Sequence, residues 1–142
     1  MTAVRLARIS ADPLDLAVHL AAIDDDAAGA VTTFVGRVRD HDPDATAAVV
    51  ALEYSAHPEA EAHLRAIAER AVGDGPALIA VSHRVGRLAV GDLAVVVAVA
   101  SPHRAEAFEV CRAVIETIKT DLPVWKRQID ADGRAAWKGI GG

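Results

Sequence analysis

The chain carries only three lysines among its 15 basic residues, and two of them, Lys119 and Lys126, bracket a proline in the stretch Ile118-Lys119-Thr120-Asp121-Leu122-Pro123-Val124-Trp125-Lys126-Arg127. Arginine stays protonated near neutral pH, whereas a partly desolvated ammonium shifts its pKa readily and can serve as acid or base. A helix ending at Lys119, a proline that blocks its continuation and an extended segment from Trp125 would turn two amines toward one pocket. The plainer reading is a cation at a helix C-terminus with its stem along apolar surface. Position on the helix favours the first reading. Phe108, Cys111, Ile115 and Lys119 are spaced for one stripe, continued by Ala107, Val114 and Ile118, so Lys119 is expected at the edge of the buried face.

Two further segments gather cations. In Phe34-Val35-Gly36-Arg37-Val38-Arg39 the two-residue period of a strand puts Arg37 and Arg39 on one face, and paired guanidinium forks suit a phosphate, although a solvated strand edge would read the same. In Ser101-Pro102-His103-Arg104 the last two residues fall at a helix N-terminus, whose amides favour anions; His103 as a plain cap or packing residue is the alternative. Other chemistries lack their motifs. There is no Walker loop, G-x-G-x-x-G, G-x-S-x-G elbow or H-E-x-x-H, and the six histidines have no ligand spacing, so no metal site is expected. The single cysteine, Cys111, excludes an internal disulfide and lies on the apolar stripe, which reads as a buried structural thiol.

The elements that must position these groups are legible in outline. Residues 3–9 read as a strand, and Asp12-Pro13 as the cap and first-turn proline of a helix through about Ile23. Asp24-Asp25-Asp26 reads as a solvated turn, lacking the further spaced oxygens a divalent ion needs. Strands are expected from Gly29 to Val38 and from about Ala47 to Tyr54, joined by the turn-rich loop Asp40-His41-Asp42-Pro43-Asp44, whose composition suggests a mobile flap. Pro58 opens a helix with Glu59 and Glu61 in its first turn and an apolar face of Ala60, Leu64, Ile67, Ala68, Ala71 and Val72; Gly73-Asp74-Gly75-Pro76 stops it. Ala77 to Ser82 and Leu93 to Ala100 read as buried strands around an excursion with two tight turns, Val85 to Asp92. A helix from about His103 to Thr120 and the segment from Trp125 complete a single α+β domain over residues 1–142 with a largely antiparallel sheet.

With 142 residues, 52% of them apolar, the chain can bury a substantial core. Its formal net charge of -5 opposes general nucleic-acid binding, and residues 1–29 supply three of those charges through five aspartates against Arg5 and Arg8. No stretch reads as a signal peptide, the apolar run from Leu93 to Ala100 is too short to span a bilayer, and lone cysteine usage suits a reducing interior, so a cytoplasmic location is expected.

Taken together, Phe34 to Arg39, Leu52-Glu53-Tyr54, Ser82-His83-Arg84-Val85-Gly86, Val90-Gly91-Asp92, His103-Arg104 and Lys119-x-x-x-Pro123-x-Trp125-Lys126 resemble, in order and approximate spacing, the large catalytic subunit of molybdopterin synthase. The likeness runs from about Gly29 to Trp137. It implies an α/β-hammerhead fold and a homodimer that binds one small ubiquitin-like subunit at each end, a heterotetramer overall. The small subunit's C-terminal Gly-Gly carries a thiocarboxylate that delivers sulfur to cyclic pyranopterin monophosphate, twice, to make the dithiolene of molybdopterin. No permanently bound cofactor is implied.

By the same resemblance Lys119 is the principal catalytic group, with Lys126 holding substrate or intermediate. Arg37, Val38, Arg39, His103, Arg104, Arg127 and Gln128 join both lysines in binding the substrate and its phosphate, His103 and Arg104 being lent by the dimer mate. The end of the chain, Trp137-Lys138-Gly139-Ile140-Gly141-Gly142, stops sooner than in many members, leaving Arg134 or Lys138 to cover the pocket, and residues 138–142 are expected to form a flexible tail. The alternative to catalysis is a scaffold of the same fold that binds a phosphorylated ligand or a ubiquitin-like partner.

Overall fold

The computed structural model describes residues 2–42 and 47–141. Residues 43 and 44 of the expected flap, and residue 142 of the expected tail, lie outside the described residues. Eight strands and three helices run in the order β1 (Val4–Ser10), α1 (Leu16–Ala22), β2 (Ala30–Arg37), β3 (Val49–Ala56), α2 (Ala60–Val72), β4 (Leu78–Arg84), β5 (Gly86–Ala89), β6 (Leu93–Ser101), α3 (Arg104–Asp121), β7 (Val124–Asp130) and β8 (Ala135–Gly139). The α+β class and the antiparallel bias hold, but the strands divide between two sheets, ordered β1-β4-β6-β2 and β5-β3-β7-β8. Only β1 and β4 pair in parallel among the described strands.

The β-branched run of β6 explains why it lies inside the first sheet: buried on both faces from Ala94 to Ser101, it leaves no polar side chain in its middle to solvate. Alternation sorts its side chains. Ala80, Ala98 and Ala100 lie with Ile23 on the α1 side, where small residues let the short helix approach. Ile79, Val81, Val97 and Val99 point the other way, into a larger core with Leu64 and Ile67 of α2 and Val114 and Ile118 of α3. Each of these large side chains contributes roughly 1.5–3 kcal/mol relative to exposure. Leu52, Leu88 and Val124 belong to the same core, so the second sheet is fixed against the first. None of the described helices is long and apolar enough to cross a membrane.

Four expectations need correction. Helix α1 starts at Leu16, not after Asp12, because the Asp15 carboxylate accepts the Ala17 N–H at 2.9 Å and so caps the helix three residues later. The excursion after Val85 contains β5, paired with β3 from Ala51↔Ala89 to Tyr54↔Gly86. Phe108 is 62% exposed, since the buried stripe of α3 runs through Ala107, Val110, Cys111, Val114, Ile115 and Ile118. The flexible tail over residues 138–142 does not fit the structure as far as Gly141. Lys138 pairs with Lys126 in β8, Ile140 is 2% exposed in the core, and Gly141 lies so close to the Lys119 carbonyl that a Cβ would come within 2.9 Å of its oxygen.

Candidate active site

Helix α3 ends where its backbone runs out of donors. Leu122 N–H still reaches the Ile118 carbonyl at 3.1 Å, but Leu122 itself is extended at ψ 125° and Pro123 has no N–H to continue the ladder. The chain reverses into β7, antiparallel to β3 with Leu52↔Gln128, Glu53↔Arg127 and Tyr54↔Lys126 in register, while β8 on the other side sets Lys138 opposite Lys126. Directly opposed residues share a face. Leu52, Tyr54, Lys126 and Gln128 therefore form one wall of a cavity of about 330 Å³, which Lys119 enters from the helix end. Phe34, Arg37 and Arg39 come from the end of β2 and the residues after it to close the opposite side.

The two amines meet as the spacing predicts. Lys119 is half-buried, at the edge of the α3 stripe, and burial lowers its pKa, with the Arg39 charge adding to the effect. Lys126 is only 8% exposed, and its pKa is likewise lowered, first by burial and then by Lys119, Lys138 and Arg39, with Asp42 opposing. A buried ammonium among other cations releases its proton more easily than a free lysine, which is the property a proton-transfer group needs near neutral pH. Beneath them Tyr54 meets His83 edge-on, the ring centroids 5.0 Å apart. Burial pushes the Tyr54 phenol up to about 12, so it remains a neutral hydroxyl. Burial also takes His83 down to about 4, against the pull of its hydrogen bond to Arg84 and helped by nearby Lys119. His83 is thus neutral, its Nδ1–H donating to the Arg84 carbonyl at 2.8 Å.

The other expected residues separate into three groups. Arg37, Arg39 and Gln128 line the cavity with the lysines. Val38 does not: its side chain is in the core at 2% exposure, and its backbone pairs with Asp92 and Gly91. Arg127 also faces away, because neighbours in a strand point to opposite faces and Lys126 takes the cavity side. Its guanidinium donates to Glu53 at 2.7 Å and lies 5.1 Å over the Trp137 ring, a surface cluster that Arg87 joins at 3.8 Å from the same carboxylate. His103 and Arg104 are exposed at the opposite end of α3, a rise of about 22 Å from Lys119 at 1.5 Å per residue. Within one chain they form no part of this cavity.

Tyr54 and Asp42 are among the lining residues that the sequence does not mark as members of the site. Tyr54 stood in a recognisable motif, but a strand tyrosine reads first as packing. Asp42 stood in an aspartate-rich turn, where a carboxylate reads as solvated; beside its local partner Arg39, only tertiary pairing brings it to Gln128 and Lys138.

Comparison with known proteins is consistent along the chain. Residues 9–121 match the family model described as MoaE protein. The molybdopterin synthase catalytic subunit of Nostoc sp. is 41% identical over 132 residues, covering 91% of this chain and 79% of that protein. Catalytic subunit 1 of the same enzyme from Mycobacterium tuberculosis is 39% identical over 134 residues, covering 93% and 89%. Among solved structures, molybdopterin synthase from Staphylococcus aureus superposes with a TM-score of 0.85 at 34% identity, covering 92% of this chain and 95% of its own.

Proposed function

The chain belongs to the family of molybdopterin synthase catalytic subunits, and from that premise we propose that its cavity passes sulfur from the C-terminal thiocarboxylate of a small ubiquitin-like subunit to cyclic pyranopterin monophosphate. Membership of a family of catalytic subunits, with both lysines in place, favours an enzyme over a scaffold of the same fold. The observation that carries the reading is the meeting of Lys119 and Lys126, both with lowered pKa, in a cavity edged by Arg37 and Arg39. The arginines suit a phosphate and the amines suit proton transfer.

The chain's single thiol supports an outside source of sulfur. Cys111 is 4% exposed in the core, and burial pushes its pKa up, away from the thiolate that sulfur transfer would need. In this reading the thiocarboxylate sulfur bonds to a side-chain carbon of the pterin and displaces an oxygen, which takes a proton from Lys119. Water then opens the acyl–sulfur bond, giving its proton back to the lysine, so the partner leaves with an ordinary carboxylate and the substrate keeps the sulfur. Lys126 and the arginines hold the substrate through both rounds.

A homodimer completes the anion site. His103 and Arg104 lie too far along α3 to serve their own Lys119, while Phe108 at 62% and Val31 at 57% leave apolar surface uncovered on α3 and on the edge strand β2 packed against it. A second copy covering that surface would bring its His103 and Arg104 to this cavity.

Reconstitution with thiocarboxylated small subunit and cyclic pyranopterin monophosphate tests the reading, run across pH at saturating substrate. Molybdopterin should form. Arg39→Gln removes a positive charge that disfavours protonation of Lys119, so the lysine pKa rises and the pH optimum of the rate moves upward. An optimum unchanged in Arg39→Gln would separate the two residues electrostatically, and absence of product from the intact mixture would sink the function.

A further inference from the structure

Asp42 brings a carboxylate to a cavity whose other charged lining, Arg37, Arg39, Lys119 and Lys126, is cationic. Its carboxylate accepts a hydrogen bond from Gln128 Nε2 at 2.7 Å, and its oxygens lie 3.9 Å from Arg39 Nη2 and 3.8 Å from Lys138 Nζ. These partners come from Asp42's own segment after β2, from β7 and from β8. Only 11% of the Asp42 side chain is exposed. Lys126 feels the same charge, since Asp42 is the group that works against the lowering of its pKa. A carboxylate hydrogen-bonded to Gln128 and ion-paired with Arg39 and Lys138 occupies positive charge that a bound phosphate would otherwise use, and it offsets the mutual repulsion of the surrounding cations.

We propose that Asp42 is a specificity-determining residue that sets the ligand charge this cavity accepts, favouring a singly charged cyclic phosphodiester over a doubly charged phosphate monoester. The proposal rests on the reading that a phosphorylated ligand enters here. A phosphodiester keeps one ionisable oxygen, and thus one negative charge, whereas a monoester or free phosphate approaches two above its second pKa near 6 to 7. Repulsion from a fixed carboxylate grows in proportion to the ligand's charge. Competition for Arg39, Gln128 and Lys138 adds to it, because the more strongly charged ligand demands more of the donors Asp42 already holds. With Asp42 in place, a substrate of one charge is admitted while abundant dianionic phosphates are held off.

The test compares two probes on the intact chain and on Asp42→Asn, which keeps an oxygen for Gln128 but removes the charge. Inorganic phosphate at about pH 8 serves as the dianion, followed by phosphorus NMR, and cyclic pyranopterin monophosphate as the monoanion, followed by calorimetry. Asp42→Asn should bind phosphate about tenfold more tightly but the cyclic ligand only about threefold, because the logarithm of the gain scales with charge. Asp42→Ser, which also removes the charge, should show the same ratio between probes and guards against a local misfolding of one variant. Equal gains for both probes, or no gain for phosphate in folded variants, would overturn the proposal. Failure of the cyclic ligand to bind any of the proteins would instead tell against the function, and the phosphate comparison would still decide the role of Asp42.

Discussion

Lys119→Ala is expected to slow molybdopterin formation by about a thousandfold, the range a positioned proton-transfer group supplies, with little change in thermal stability. Stability should survive because Lys119 is half-buried at the rim of the α3 stripe, and the core beneath it is made by Ile115 and Ile118. Lys119→Arg should be nearly as slow. It keeps the charge, but a guanidinium does not give up its proton near neutral pH. Single-turnover rates with preformed complex, together with melting curves, are the measurement. Retention of most activity by Lys119→Arg would show that a fixed charge suffices and that no proton passes through this residue.

Mixing two disabled chains should restore activity if the anion site is shared between protomers. Lys119→Ala and Arg104→Ala, co-refolded in equal amounts, give heterodimers in half of the population, each with one intact site and one doubly altered site. Activity at subsaturating substrate should therefore recover to about a quarter of the intact protein's value. The separation along α3 makes this a strong test, since a helix about 27 Å long cannot bend its first residue back to its last. No recovery, in a sample where heterodimers are confirmed by mass, would mean that the neighbour does not lend Arg104 to the Lys119 cavity.

The parts of the site that depend on local chemistry were readable from the chain alone. Pro123 must end a helix, so Lys119 and Lys126 had to lie on either side of a reversal, and the structure places both in one cavity. Arg37 and Arg39 were likewise put on one face by strand period, and they line the cavity together despite the register shift between Gly36 and Arg37. The same rule was available for Arg127, because Lys126 and Arg127 cannot share a face of one strand. The family resemblance placed it in the expected site, and its pairing with Glu53 across β3 shows where alternation sends it.

Other features depended on pairing that no local pattern encodes. Strand β5 has four residues, and β8 reads Ala-Ala-Trp-Lys-Gly, too short and too weakly alternating to be recognised away from the strands they pair with. The burial of Ile140 follows from β8, and with it the fixed course of the chain past Lys119. Asp42 illustrates the same limit at the site. Its turn-rich surroundings predict solvation, and its role depends on Gln128 and Lys138, 86 and 96 residues further on.

In the proposed reaction sulfur passes from a partner's thiocarboxylate through the Lys119 cavity without ever bonding to this chain. Isotopically labelled sulfur in the small-subunit thiocarboxylate, followed by mass spectrometry of product and protein, tests it most directly. Labelled sulfur is expected in both dithiolene positions and none on Cys111 at any time, with the same result for Cys111→Ala. Label trapped on Cys111, or unlabelled molybdopterin formed from labelled partner, would contradict it.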